Sequence, residues 1–382
     1  MFDAVPVETR SRRPVASIGT FHRVSLAAAV VLVIVSSALD AQNPTQLPRV
    51  ELVAAPLVLL SGEVDSNSPV IWDRIEGRET LFVVTSANGR PQTASGEQVE
   101  LLGPAQDVAI DPWPGGGIWM EAVVPDVDGT WYGYYHNEVP AERCSGSDKV
   151  VPRIGAARSR DHGRTWEPLG VVLEARPTSV ACETPNEYFL GGVGDFSVQL
   201  DANARDLYFF FSQYSRAVAQ QGVGVARLAW ADRDAPAGKI MVWRGRSWVP
   251  ASSMTSAEGA LIWSYPSAVP VFPAANSWHD SDSVVDAFWG PSVHWNTYVQ
   301  QYVMLLSRAK DASWSQEGIY VSYSLRLDDP RLWSPPVKIM NAYSWYPQVV
   351  GTETGIGTDR LAGQRPRLFV HGVSQHSLQF TR

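Results

Sequence analysis

Residues 288–296, FWGPSVHWN, and residues 302–307, YVMLLS, form the most regular unit in this sequence. An aromatic lead-in and a proline come before a short strand, a polar turn follows, and an apolar strand ends the unit. Two runs of β-branched and aromatic residues around a polar turn are typical of a β-hairpin. The unit therefore predicts two antiparallel strands.

Four further pairs of segments repeat this pattern around turns that contain Asp, Asn or Gly: 69–73 with 81–86, 118–126 with 131–136, 195–201 with 207–212, and 345–350 with 367–372. A spacing of roughly 50–75 residues per unit suits four-stranded blades with loop insertions. The sequence thus predicts an all-β, single-domain, five-bladed β-propeller. An all-β sandwich has a similar strand content, but it has no reason to repeat at this period. Sustained 3.6-residue periodicity is missing outside the N-terminal segment, so helices should be scarce.

The predicted domain organisation has three parts. Residues 1–41 form a signal segment, residues 42–60 a lead-in, and residues 61–382 the propeller. The approximate blades are 61–103, 115–175, 190–250, 284–340 and 343–382. Within the lead-in, apolar residues 50–53 and 57–60 are predicted to add a strand to the last blade and close the ring.

The N-terminal segment resembles a secretory signal. Four arginines precede the apolar run 24–35, and the small residues 36–38 follow it. A basic region, an apolar core and small residues are the three parts of such a signal. The apolar run is short for a membrane span, which needs about 20 residues. We predict cleavage after Ala38 or Ala41, with an uncleaved anchor as the alternative; either way the propeller is exported.

Composition excludes some functions and leaves others open. The chain has 382 residues, of which 45% are hydrophobic and 18% charged, as expected for a well-cored protein. A net charge of −8 provides no basic surface for nucleic acid. Cys144 and Cys182 are an even pair in a chain predicted to be exported, so a single disulfide is expected. A metal pair is a weak alternative because neither cysteine has a CxxC partner.

Residues 159–166, SRDHGRTW, spell Ser-x-Asp-x-Gly-x-Thr-Trp, the Asp box found in sialidases and related propellers. In this motif the Asp side chain is expected to accept hydrogen bonds from its own turn, and Gly permits a left-handed conformation. We therefore expect Asp161 to serve the fold rather than catalysis.

The candidate site follows from the geometry of a propeller, whose first strands converge on a central channel. Three consecutive blades contribute one carboxylate each near the start of this strand, namely Asp65, Glu121 and Asp195. Converging carboxylates suit glycoside hydrolysis, in which one protonates the leaving oxygen and another activates water or attacks the anomeric carbon. The alternative is that each caps a turn or pairs with an arginine. The predicted substrate contacts are Trp119, Trp289, His294, Trp345 and Tyr346.

These features resemble the five-bladed glycoside hydrolases of the arabinanase/β-fructosidase superfamily. The resemblance rests on the five hairpins, the three carboxylates, His294 of blade four and the segment 324–333, and it covers the chain from about residue 60. It implies that Asp65 is the base, Glu121 the tuning residue and Asp195 the acid. The chain departs from the family in having Glu in blade two and Asp in blade three, and it lacks the Trp-Met-Asn-Asp-Pro motif of fructosidases.

The sequence therefore predicts a secreted glycoside hydrolase acting on a poly- or oligosaccharide. A non-catalytic, lectin-like propeller is the first alternative; a sialidase and a protein-interaction scaffold are further ones. No cofactor is required by this chemistry and no catalytic metal is expected. His294 either holds a structural cation or water in the channel or satisfies a core polar network. The predicted partner is carbohydrate, without nucleic acid and without a membrane beyond the signal segment.

Overall fold

The computed structural model describes residues 47–144, 146–257, 259–280, 284–342 and 344–382. The predicted signal segment 1–41 lies outside the described residues. Within them the secondary structure consists of strands and short 3-10 helices, which are Val99–Leu101, Pro177–Ser179, Val218–Gln220, Trp230–Asp232 and Pro330–Leu332. None of the helices in these ranges is long and apolar enough to cross a membrane.

The strands form five sheets arranged as blades. Blade 1 consists of Val70–Ile75, Arg78–Ala87, Arg90–Gly96 and Gln106–Asp107. Blade 2 consists of Gly117–Pro125, Trp131–Pro140, Val150–Ser159 and Thr165–Leu173, with Ala109–Ile110 parallel to the last of these. In both blades the strands pair in sequence order, so each blade is a meander.

Blades 3 and 4 carry additional strands. Blade 3 consists of Val193–Leu200, Asp206–Tyr214, Gln221–Ala229, Met241–Trp243 and Trp248–Pro250, and Phe272–Pro273 also pairs with its third strand. A separate hairpin of Ser252–Thr255 and Leu261–Ser264 follows it. Blade 4 consists of Ala287–Asn296, Gln301–Ala309, Gln316–Ser324 and Val337–Met340, with Leu361–Ala362 parallel to its first strand.

Blade 5 closes the ring with residues from two distant parts of the chain. Pro347–Val350, Arg367–Val370 and Val373–Thr381 form its first three strands. Arg49–Leu59 pairs antiparallel with Val373–Thr381, Arg49 opposite Thr381 and Leu59 opposite Val373. The prediction that the lead-in adds a strand to the last blade is confirmed.

The core is divided into layers that lie between neighbouring blades. On the second strand of blade 3, Phe209 packs toward Tyr134 of blade 2, whereas Phe210 packs toward Met304 of blade 4. Successive strand residues point to opposite faces, so a strand covered on both sides must be apolar at nearly every position. The unbroken apolar runs that define the repeat are therefore the cause of the ring packing.

The Asp161 turn has a structural role. Asp161 Oδ1 accepts a hydrogen bond from the Thr165 N–H at 2.9 Å, and Oδ2 accepts one from the Thr165 hydroxyl at 2.7 Å. His162 and Gly163 have φ of 58° and 79°, a left-handed conformation that glycine adopts at no steric cost. His162 Nδ1 lies 3.1 Å from Asp73 Oδ2 of blade 1, so this turn also ties two blades together.

Candidate active site

The inner strands of blades 2, 3 and 4 each contain an irregularity in pairing, within about one residue of the same place relative to their second strands. The register shifts between Met120 and Ala122 in blade 2, between Gly194 and Phe196 in blade 3, and between Trp289 and Ser292 in blade 4. The extra residue is Glu121 in blade 2 and Asp195, with φ of 40°, in blade 3. A β-bulge re-aims the side chain of its extra residue, which explains how both carboxylates come to point away from the ladder.

The bulges place Glu121 and Asp195 side by side. Glu121 Oε2 accepts a hydrogen bond from the Phe196 N–H, directly after Asp195, at 2.6 Å. The Tyr214 hydroxyl donates to Asp195 Oδ2. Glu121 and Asp195 are only 2% and 3% exposed, so the pair lies in the interior of the fold rather than on an open wall.

Asp65 reaches the same place from blade 1. Its N–H donates to the Ser86 carbonyl at 2.7 Å, which extends the inner edge of blade 1 toward the bulges. Two residues on, the Asn67 side-chain amide donates to the carbonyls of Phe196 and Pro291 at 3.0 and 3.2 Å. Asp65 is half-buried, and it is the most exposed of the three predicted carboxylates.

Burial and mutual repulsion change the acidity of this cluster. Burial, followed by the charge of Asp195, raises the pKa of Asp65 from 3.8 to about 6. Burial is also the main reason why the pKa of Glu121 rises from 4.5 to about 7, against the opposing effect of His136. The pKa of Asp195 is raised by burial, and the nearby His136 and the Tyr214 hydroxyl oppose that rise. Carboxyl groups with pKa values near neutrality can act as acid or base at neutral pH.

His136 is a member of this cluster that the sequence analysis missed. It is 3% exposed, and its Nδ1 accepts a hydrogen bond from the Asp195 N–H at 3.0 Å. The same Nδ1 lies 3.4 Å from Glu121 Oε1, and Nε2 lies 3.4 Å from Glu138 Oε1. The signal was present in the repeat: the second strands of blades 1, 3 and 4 have Ser86, Ser212 and Ser307 where blade 2 has histidine.

Oxygen and nitrogen atoms of Glu121, His136 and Asp195 lie within 4.8 Å of one another, a spacing that a metal ion could bridge. However, Nδ1 accepts the Asp195 N–H, and a nitrogen lone pair that accepts a proton donor is not available to a cation. Two carboxylates remain, which are too few protein ligands for a typical zinc or calcium site. The geometry fits an acid–base cluster better than a metal centre.

Aromatic side chains pack against this cluster. The buried members are Phe189, Tyr214, Trp278, Trp289, Trp314 and Tyr346, and we call them the aromatic cluster. Phe189 lies 5.9 Å from the His136 ring and 4.9 Å from the Tyr214 ring, between centroids. Beside it, Tyr188 is 40% exposed and contacts Trp345 edge-on at 6.0 Å.

This arrangement corrects two predicted substrate contacts. Trp289 is 1% exposed and packs edge-on against Trp314 at 4.7 Å, so neither of its faces is free for a sugar ring. Tyr346 is 8% exposed, and burial raises its pKa, as does the charge of Asp195. Both are wall residues beneath the surface. Trp119 and Trp345 are half-buried, so they stay predicted contacts.

His294 is corrected as well. Its side chain has no exposure, and burial lowers its pKa to about 3, so the imidazole is neutral. It lies edge-on to Phe380 at 6.2 Å, deep between blades 4 and 5 and away from the mouth. His294 therefore does not contact a substrate held at the carboxylates.

The predicted cysteine pair forms a disulfide. It joins Cys144, between the second and third strands of blade 2, to Cys182 in the connection between blades 2 and 3. Cys182 precedes Tyr188 and Phe189 in the same segment. The Asn186 side chain, buried beside them, accepts hydrogen bonds from the N–H groups of Tyr188 and Phe189, both at 2.9 Å. The segment that covers His136 is thus held at several points.

No protein-family model matches the chain, and no curated protein matches it. Similar solved structures include an endo-arabinase from Bacteroides thetaiotaomicron, with 11% identity over 85% of this chain and 97% of that one, TM-score 0.49. An exo-β-1,3-galactanase from Phanerochaete chrysosporium has 10% identity over 86% of this chain and 64% of that one, TM-score 0.47. An α-L-arabinofuranosidase from Podospora anserina has 10% identity over 87% of this chain and 97% of that one, TM-score 0.45. The five-bladed fold is defined by the strand pairing described above, independently of these likenesses.

Proposed function

We propose that the protein is a secreted glycoside hydrolase that cleaves a poly- or oligosaccharide by carboxylate acid–base chemistry. One observation carries the proposal: Asp65, Glu121 and Asp195 converge from three consecutive blades, and the pKa of Asp65 and of Glu121 is raised to about 6 and about 7. Burial of like charges costs stability, so such a cluster is characteristic of functional sites.

The exposure and contacts of the three carboxylates support the roles that the resemblance implies. Asp65, half-buried and nearest to solvent, is the base or nucleophile. Asp195, which accepts from Tyr214 and has a raised pKa, is the acid that protonates the leaving oxygen. Glu121, fully buried between His136 and the Phe196 N–H, tunes Asp195 without contacting the substrate.

The surroundings favour an uncharged sugar. In the part of the chain that the structure describes, the ion-pair contacts of Glu121 and Asp195 go to His136 alone. A sialidase needs several arginines to bind the carboxylate of its substrate, and none makes such a contact with this pair. Trp345, Trp119 and Tyr188 offer aromatic surface at the rim, on which the apolar face of a sugar ring can stack.

The test is reducing-sugar release across arabinans, fructans, xylans and sialylated glycans, with Glu121→Gln and Asp195→Asn as variants and Glu51→Gln as the matched control on the exposed outer strand. We expect release by the parent chain and by Glu51→Gln, and its loss in the two site variants. Release that survives both site changes would remove these residues from the mechanism. Sugar binding without release would favour the lectin-like alternative, which the deep burial of Glu121 and Asp195 also suits.

The chemistry needs no cofactor, but a structural cation in the channel stays part of the proposal. Both ring nitrogens of His294 are buried without a hydrogen-bond partner, which is the reason to test this position. His294 belongs to none of the described groups of three His, Cys, Asp or Glu side chains, so a cation there would depend on carbonyl oxygens and water. If a cation is bound, dialysis against EDTA should lower the melting temperature, and His294→Gln should abolish that difference. An unchanged melting temperature would contradict it.

A further inference from the structure

His136 performs a task that serine performs in the neighbouring blades. The Ser86 hydroxyl of blade 1 accepts from the Met120 N–H at the bulge of blade 2, at 3.0 Å. The Ser212 hydroxyl of blade 3 accepts from the Gly290 N–H at the bulge of blade 4, at 2.9 Å. Between them, His136 of blade 2 accepts from the Asp195 N–H at the bulge of blade 3. In each case the second strand of one blade holds the bulge of the next.

The imidazole adds something that a hydroxyl lacks, because it titrates and it reaches further. Glu121 faces it from the inner strand of its own blade, Glu138 from its own strand, Asp195 from blade 3 and Asp65 from blade 1. Burial lowers the pKa of His136, but these carboxylates outweigh burial and raise that pKa well above 6.5, which favours a protonated ring. The Asp195 N–H favours a neutral ring, since only an unprotonated Nδ1 can accept it. The two preferences cannot both be satisfied at Nδ1.

The packing fixes the ring at this position. Trp119 contacts it edge-on at 5.5 Å, and Phe189 covers it from the connection between blades. A side chain added to Gly194 would place its Cβ 2.5 Å from Nδ1, so the backbone before Asp195 already touches the ring. The ring therefore cannot turn away from the bulge without moving blade 3.

We propose that His136 is a positioning residue: as the neutral tautomer with its proton on Nε2, it holds the Asp195 bulge through Nδ1, and it releases that bulge when Nδ1 is protonated. In the neutral state the Nε2 proton faces Glu138. In the protonated state the Nδ1 proton turns to Glu121 Oε1, and the Asp195 N–H loses its acceptor. This proposal deepens the proposed hydrolase function and rests on it for its consequence for rate.

The first test needs no substrate. In long-range ¹H–¹⁵N spectra of the ¹⁵N-histidine-labelled chain, His136→Asn identifies the His136 signals. Because the pKa of His136 is raised well above 6.5, we expect the neutral ring, protonated at Nε2, at pH values above the His136 midpoint. On acidification the Asp195 amide should shift with that midpoint. A neutral ring that carries its proton on Nδ1 would overturn the proposal, as would an Asp195 amide that does not follow His136.

The second test measures kcat/KM in the variants at a pH above the His136 midpoint, where the ring is neutral. His136→Ala leaves the Asp195 N–H without an acceptor, and we expect a loss of about tenfold or more. His136→Asn supplies an amide oxygen near the place of Nδ1 and should recover most of that loss. His162→Gln, which removes a histidine between blades 1 and 2, should lower the melting temperature and leave kcat/KM unchanged. Equal losses in His136→Ala and His136→Asn would refute positioning by Nδ1.

The outcomes distinguish a failure of the His136 assignment from a failure of the proposed hydrolase function. The expected tautomer in a chain that hydrolyses no glycan would remove the hydrolase function and keep His136 as the residue that holds the bulge. Hydrolysis by a chain with the wrong tautomer would keep the function and remove the assignment of His136. If His136→Ala does not fold, the spectra and the His136→Asn variant still decide.

Discussion

Glu121 is an acidic side chain in a fully buried position, and its presence there should cost the fold stability. Its pKa in the folded chain, about 7, lies above the ordinary 4.5, so the folded state holds this proton more tightly than the unfolded chain does. The contribution of this bound proton to the free energy of unfolding is fully present below pH 4.5, and it is lost as the pH rises through 7.

We therefore expect Glu121→Gln to be inactive but more stable than the parent chain above pH 7. The upper bound is about 3 kcal/mol, the value of a shift of this size. Gln can still accept from the Phe196 N–H, so the bulge should persist. Thermal unfolding at pH 8 and pH 4 checks this, with Glu51→Gln as the exposed control. A stabilisation that is equal at both pH values would contradict the buried-charge explanation.

The pKa of Asp65 should set the acid limb of the pH–activity profile. As the base it must be ionised, and its pKa is raised to about 6, first by burial and then by the charge of Asp195. Activity should fall as the pH drops through 6. The measurement is kcat/KM against pH; in Asp195→Ala, assayed with a substrate whose leaving group needs no protonation, the limb should move to lower pH. A limb near pH 4 in the parent chain would argue against Asp65 as the base.

At the residue scale, the sequence predicted which carboxylates converge but not how deep they lie. Asp65, Glu121 and Asp195 follow from their position in the repeat, because first strands meet at the channel. Trp289 and His294 occupy similar positions and are buried. Trp289 packs against Trp314, which Phe189 contacts from the connection between blades 2 and 3, whereas His294 packs against Phe380. Hydrophobic pattern cannot distinguish an aromatic ring beneath that connection from one at the rim.

Among the elements, the closing strand Arg49–Leu59 is the one whose loss should be most damaging. The Leu378 and Phe380 N–H groups donate hydrogen bonds to the backbone carbonyls of Pro366 and Gln364, on the side of blade 5 away from the closing strand. By the alternation of an antiparallel ladder, the Ser377 N–H then points to the closing strand, where Val53 is its partner. Val53 therefore belongs to a hydrogen-bonded pair, and its neighbour Ala54 points its N–H to solvent.

We expect Val53→Pro to lower the melting temperature markedly and to increase aggregation, because it removes a ladder hydrogen bond and opens the edge of blade 5. Ala54→Pro is the matched control, with an outward N–H and an exposed side chain, and it should be much milder. Thermal unfolding and light scattering measure both. Similar effects in the two variants would mean that strand alternation is not the cause.

The disulfide should stabilise the connection that covers the site. Cys144 and Cys182 are separated by 38 residues. Closing a loop of this length restricts the unfolded chain and thereby stabilises the fold by about 2–4 kcal/mol. The double variant Cys144→Ser with Cys182→Ser should lose stability of that order in urea. Its KM should rise more than its kcat falls, because Tyr188 and Phe189 lie on the same connection. A variant with unchanged stability would show that the hydrogen bonds of Asn186 suffice.

At the element scale, strand pairs were predictable and bulges were not. Continuous apolar runs such as that around Phe209 and Phe210 require cover on both faces, which the repeat makes visible. The extra residue of a bulge leaves no mark in an apolar pattern, so the local turn of Glu121 and Asp195 was hidden. The hairpin of Ser252–Thr255 and Leu261–Ser264 was missed because its exposed, mixed residues lack a clear alternation.

For the whole molecule, charge should influence which polymers can approach. The net charge of −8 and a carboxylate cluster at the site both repel polyanions. We expect neutral glycans to be cleaved in preference to sialylated or uronate-containing ones at low ionic strength. Raising the salt to about 0.5 M should reduce this discrimination, because the screening length falls below about 10 Å. Preference for an anionic glycan at low salt would contradict the neutral-sugar assignment.

The union of Arg49–Leu59 with Val373–Thr381 also sets an order of events during synthesis. The earliest of the described strands cannot pair until the latest one exists, so the ring stays open while every other blade is being made. An incomplete chain would present the unsatisfied edge of that early strand, which is a template for unwanted pairing. Synthesis of Val373–Thr381 is thus the step that permits closure of the ring.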